Sequence, residues 1–170
     1  MDNEVNMLQV VLTASATLLG GVILLVLKEF VTSFIIDPAK LVREKLHVAV
    51  ARVIFYSNRL TNYFSSKPTE EEVEIIRALK NDLRDASTKL NAAYEMVPFK
   101  RLSRWIRILP TSDAARGAST DLIYLHNSIL YENRRDHVLN EIEMNDNRIE
   151  RIIAVGSGKR VPELVKVKTK

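Results

Sequence analysis

The sequence predicts an all-α protein, with one N-terminal transmembrane helix followed by a cytoplasmic helical bundle. Three observations carry that class. From Met7 to Leu27 the 170-residue chain runs without a charge, and at about 1.5 Å per residue a helix of that length crosses a hydrocarbon core of about 30 Å. Beyond Pro38, apolar residues recur three and four apart in successive segments, the spacing of one helix face. No alternating apolar and polar run in that part sits between turn signals, as a strand would require.

Whole-chain averages conceal this division. A content of 46% hydrophobic and 27% charged residues with a net charge of +4 describes an ordinary soluble domain. The excess charge is local: Lys159, Arg160, Lys166, Lys168 and Lys170 stand against Glu163 in residues 156–170, and the preceding part is balanced. A nucleic-acid-binding surface is therefore not indicated. With no cysteine, disulfide frameworks, thiol nucleophiles and Cys-ligated metal centres are excluded.

The apolar run is not a cleavable signal peptide, because Asp2 and Glu4 stand where a basic n-region belongs, and the run exceeds an h-region of about 7–15 residues. Lys28, Lys40, Arg43 and Lys45 follow the run and no basic residue precedes it, so the positive-inside rule places the N-terminus outside and the rest in the cytoplasm. A membrane with the bundle on its cytoplasmic side is the expected location. Within the run, Thr13, Ala16, Thr17, Gly20 and Gly21 share a face of small side chains that lets two helix backbones approach closely, which predicts a homo-oligomer. The hydroxyls of Thr13, Ser15 and Thr17 either line a narrow pore or bond back to their own helix.

Asp37-Pro38 reads as an N-cap followed by proline at the first helical position. The helix so begun carries Val42, Leu46, Ala49, Val53, Tyr56, Leu60 and Tyr63 along one side. Ser65 to Pro68 break it, and Thr69 with Glu72 forms a capping box for the next helix. That helix holds a heptad seam of Ile76, Leu79, Leu83, Ala86, Leu90, Ala93 and Val97, and Arg77, Lys80, Asp82, Arg84, Asp85 and Lys89 form its solvated face. Pro98 and Pro110 bracket a short amphipathic piece. A further helix from Ser112 shows Ala115, Ala118, Leu122, Leu125 and Ile129, with Gly117 suggesting close packing.

From Tyr131 to Asp136 the seam lapses and then resumes with Val138, Ile142, Ile149 and Ile152 or Ile153. Either a turn reverses the chain there, or one long coiled-coil-like helix projects from the bundle. Asn145 falls at a seam position, as a register-setting polar residue does. The resulting regions are 1–36 for the N-terminus, the span and its interfacial extension, 37–155 for the bundle, and 156–170 for a flexible basic tail.

Signatures of catalysis are missing from the sequence. His47, His126 and His137 lie on separate helices without metal-ligand spacing, and there is no phosphate loop, dinucleotide fingerprint or nucleophile elbow. Carboxylate pairs such as Asp82 with Asp85 and Glu141 with Glu143 are what charged helices produce by chance. Neither an enzyme nor a metal or other cofactor is expected. Polar clusters at Tyr56 to Arg59 with Asn62, and at His126 to Ser128, interrupt apolar faces. If their helices face each other, they form either a structural polar network or a small-ligand pocket with Tyr56, Asn58, Arg59 and Asn127 as contacts.

Residues Phe99 to Leu109 place Phe99, Leu102, Ile106 and Leu109 on one side, Lys100, Arg101, Arg104 and Arg107 on the other, and Trp105 at the flank. This is either an interfacial helix on anionic lipid or a connector with a solvated basic side. Four short stretches, FYSNR at Phe55 to Arg59, Val97 to Phe99, Leu109-Pro110 and LIYLHNSI at Leu122 to Ile129, resemble a group of small uncharacterised bacterial proteins with one N-terminal span and a helical cytoplasmic domain. The resemblance covers roughly residues 5–130 and implies the topology and a bacterial source, but no catalytic residues.

The expected function is a membrane-anchored, self-associating helical scaffold or binding protein, with the lipid bilayer, further copies of itself and a protein partner at the bundle as its contacts. The alternative is a membrane effector of antiviral defence whose bundle senses a ligand, such as a nucleotide, and perturbs the membrane.

Overall fold

The structure, a computed structural model, describes residues 2–61, 69–128 and 138–159. The break expected at Ser65 to Pro68, the seam positions Tyr63 and Ile129, His137 and the tail beyond Lys159 lie outside the described residues. Helix α1 (Asp2–Val31) leads through a π-helical turn (Thr32–Ile36) into α2 (Asp37–Thr61), followed by α3 (Glu70–Glu95), the short α4 (Lys100–Trp105), α5 (Ser112–Ser128) and α6 (Val138–Gly156).

The expected break at Asp37-Pro38 is absent. Asp37 has helical dihedrals (φ −65°, ψ −44°) instead of the extended ones of an N-cap, and its N–H reaches back five residues to the Thr32 carbonyl. In an α-helical register the Pro38 ring would press on the carbonyl of Phe34, four residues back. The wider π turn relieves that clash, so the helix runs unbroken from Gln9 to Thr61 over 53 residues. One helix thus joins the apolar segment to the bundle, and residues 36 and 37 mark a change of helical register.

Helices α2, α3, α5 and α6 close into a four-helix bundle. α3 packs on α2 and α5, and α6 packs on α5 and α2. All four contacts are antiparallel: Tyr56 meets Asp82, Ser87 meets Ser119, Asp121 meets Arg151, and Asn145 meets Leu60. The topology is up-down-up-down, with α2 and α5 on opposite corners. The core is built from the seams read in the sequence, including Val42 and Val53 of α2, Leu79, Leu83 and Leu90 of α3, Leu122 and Leu125 of α5, and Ile152 of α6, all fully buried. The capping box of α3 is present, with Glu72 N–H donating to the Thr69 hydroxyl at 3.3 Å and Thr69 N–H to the Glu72 carboxylate at 2.9 Å.

Of the two courses open after Tyr131, the chain reverses: α6 folds back on α5 and no long helix projects. Close packing at glycine also differs from expectation. A Cβ on Gly117 would meet nothing within 4 Å, whereas one on Gly156 would collide with the Cγ2 methyl of Val50. The tight approach is therefore between α6 and α2. Helix α6 ends in a Schellman motif, with Lys159 N–H to Ala154 carbonyl at 2.9 Å, Gly158 N–H to Val155 carbonyl at 3.2 Å, and Gly158 at φ 69°.

Candidate membrane-interface site

Part of the exposed apolar surface lies at the end of the bundle where α1 enters it, and Ile54 and Phe55 are exposed further along α2. Along α1 itself, Val10 to Leu27 leave their large apolar side chains more than half exposed, none of them covered by the bundle. Phe30 and Phe34, one turn apart, stack at 4.9 Å between ring centroids, and both meet Phe99, at 5.7 and 6.5 Å. Pro98 follows the end of α3, and Phe99 then pins the start of α4 against the helix leaving the apolar segment.

The amphipathic piece is shorter than its periodicity predicts. Helix α4 stops at Trp105 in a second Schellman motif: Ile108 N–H bonds the Ser103 carbonyl at 3.1 Å and Arg107 N–H that of Arg104 at 3.0 Å. The left-handed position is Arg107, at φ 58°, where glycine is the residue without strain. Beyond this turn Leu109 is buried in the core, 6% exposed. In α4 Ser103 is buried, while Leu102 and Ile106 stay about two-fifths exposed and Trp105 is 80% exposed.

The basic residues divide into two sets. Lys100 folds back onto the Glu95 carboxylate and lies 5.5 Å from the Tyr94 ring centroid, and Arg116 joins the same carboxylate at 3.1 Å. These bonds, that from Lys100 first, hold the Glu95 carboxyl below its ordinary range. Arg104 donates from Nε to the Lys100 carbonyl at 3.2 Å, and Arg43 of α2 donates to the Arg107 carbonyl at 3.4 Å. Among the described residues no carboxylate pairs with Arg43, Arg101, Arg104 or Arg107.

The residues expected to line a ligand pocket do not converge. Asn58, Arg59 and Asn127 are exposed, and α2 and α5 occupy opposite corners of the bundle. Tyr56 is buried and donates to the Asp82 carboxylate at 3.0 Å, an oxygen that Arg52 also holds. Burial and that bond push its phenol above the ordinary value. Asp82 thus belongs to an interhelical cluster and not to a wholly solvated face. His126 is equally structural, with Nδ1 at 2.8 Å from the Lys80 carbonyl.

The polar interior runs through other residues. Asn145, at its expected seam position, donates to the Leu60 carbonyl and to the Ser128 hydroxyl, both at 3.1 Å, and accepts from Arg148 at 3.1 Å. Asp121 is 6% exposed and holds Arg151 in a two-pronged ion pair, one arm 2.9 Å long. Sequence reading missed that pair, because Asp121 flanks the seam and its partner lies on another helix. Ser87 and Ser119 exchange hydroxyl bonds across α3 and α5, with 2.8 Å between their oxygens. The buried hydroxyls of Tyr94 and Ser103 have no protein partner among the described residues.

On α1, Thr13 donates to the Gln9 carbonyl and Thr17 to the Thr13 carbonyl, both at 2.8 Å, so these hydroxyls bond back to their own helix. Around Gly20 and Gly21 the space is open to 4 Å. Among the described residues no three His, Asp or Glu side chains gather as metal ligands do. No protein-family model matches the chain, and neither a curated protein nor a solved structure is significantly similar to it.

Proposed function

We propose that the protein is a single-pass protein of a bacterial inner membrane, N-terminus outside, whose cytoplasmic bundle acts by binding as a self-assembling scaffold, without catalysis. The observation that carries this reading is the 53-residue unbroken helix, apolar and uncovered at one end and packed into the bundle at the other. An all-round apolar helix outside its own core needs a hydrocarbon partner. Because α1 and α2 are one rod, any association of the spans sets the arrangement of the bundles. The open small-residue face of Ala16, Gly20 and Gly21 supports association in the membrane, and the four basic residues after the apolar run support the orientation.

Two measurements test the proposal. Alkaline carbonate should leave the full chain in the membrane pellet, with a C-terminal tag protected in spheroplasts; release, or external digestion of that tag, overturns the topology. In mild detergent the chain should migrate as an oligomer that Gly20→Leu with Gly21→Leu dissociates. A wild-type monomer over a range of concentrations overturns self-assembly.

A further inference from the structure

We infer that α4 and its flanking arginines form a second membrane contact, which seats the bundle on the anionic headgroups of the leaflet from which α2 emerges. The inference rests on the reading of α1 as a span. Its first support is height. Phe30 and Phe34 lie three and seven residues beyond Leu27, or about 5 and 10 Å along the helix. The headgroup zone on each side of the hydrocarbon is about 5–8 Å deep. Because Phe99 touches both rings, α4 begins at the outer part of the headgroup zone.

The second support is chemistry. Trp105, Leu102 and Ile106 are the exposed apolar groups of α4, and tryptophan is the residue most at home where acyl chains meet headgroups. Arg101, Arg104 and Arg107, with Arg43 beside them, have no carboxylate partner among the described residues. Lys100 is taken by Glu95 and is not part of the contact. Each basic group near an anionic surface favours the seated state about five-fold, and bulk salt weakens that effect.

The third support is Arg107 itself. The other Schellman motif places glycine at the left-handed position; here an arginine occupies it at a conformational cost, directly after α4. Strain retained at a surface position points to a use for the side chain.

Trp105 is the sole tryptophan of the chain, so its emission reports on this contact alone. The test uses the full chain reconstituted into phosphatidylcholine vesicles with and without phosphatidylglycerol. With phosphatidylglycerol, Trp105 emission should shift to the blue, be quenched by lipids brominated high on the acyl chain, and be shielded several-fold from acrylamide. In phosphatidylcholine alone, or at high salt, the shielding should fall. The variant R101E/R104E/R107E should lose it with unchanged helicity and full carbonate resistance. Arg107→Gly, which keeps the turn, should lose part of it.

A carbonate-resistant chain whose Trp105 stays acrylamide-accessible in phosphatidylglycerol vesicles overturns the contact and leaves the span standing. A chain stripped by carbonate overturns both. Shielding that follows protein density and ignores brominated lipid assigns α4 to a second copy of the chain and overturns the lipid contact. Shielding equal in both lipids overturns the role of the arginines.

Discussion

The Asn145 side chain donates a 3.1 Å hydrogen bond to the carbonyl of Leu60, across 85 positions of sequence. Leu60 stands in the last described turn of α2. Asn145 therefore ties the part of α2 remote from α1 to α6, and through Ser128 to α5. Asn145→Ala should destabilise the bundle by about 1–3 kcal/mol in chemical unfolding followed by circular dichroism. Asn127→Ala, at an exposed position, should stay within about 0.5 kcal/mol. Equal effects would show that the Asn145 network carries no stability.

Asp121 and Arg151 give a pH-dependent prediction. Burial pushes the Asp121 carboxyl above its ordinary 3.8, outweighing the bond and charge of Arg151 and the charge of Arg148. A raised folded pKa contributes stability that is full below pH 3.8 and lost as pH rises through the folded value. Relative to Asp121→Asn, the wild type should therefore lose stability over that rise.

Removing one partner of this ion pair differs from removing both. Arg151→Met leaves a buried carboxylate uncompensated and should cost about 3–5 kcal/mol at neutral pH, with the Asp121 carboxyl moving further up. The double variant Asp121→Leu with Arg151→Met should recover most of that loss. A double variant as unstable as the single one would locate the loss in packing instead of charge.

The glycines of the bundle should respond with opposite signs. Gly117→Ala gains helix propensity in open space and should stabilise by about 1 kcal/mol. Gly156→Ala drives a methyl into Val50 and should destabilise by about 1–3 kcal/mol. Adding Val50→Ala should make the Gly156 substitution markedly less costly, a coupling that a double-mutant cycle reads directly.

Arg107→Gly removes the side chain from a left-handed backbone position. It should stabilise the full chain by about 1 kcal/mol in thermal unfolding. A loss of stability would mean that the guanidinium makes contacts that outweigh the strain of its backbone.

Much of the architecture was legible from local pattern. The apolar run, the seams of α2, α3 and α5 and the capping box of α3 are periodicities or short motifs, so each helix carries them within its own residues. Asn145 was legible for the same reason, as a polar residue breaking an apolar seam. Asp121 was not, because a carboxylate beside a seam looks solvated until Arg151 arrives from a helix 30 residues away. Tyr56, Asn58, Arg59 and Asn127 suggested a pocket only while α2 and α5 were free to face each other, and the bundle puts them on opposite corners.

By itself the sequence determined the helical class, the helix faces and the location of the excess charge, because these depend on the spacing and composition of neighbouring residues. Tertiary structure alone decided that the helix passes Pro38 through a π turn, that the chain reverses before α6, and that α4 ends at Trp105 with its apolar side exposed. At Pro38 the clash is local, the ring against the Phe34 carbonyl four residues back, whereas the reversal brings distant residues together, Gly156 against Val50, and Leu109 is buried in the core beyond α4. A choice between two locally acceptable courses is made by the one that lets such distant surfaces pack.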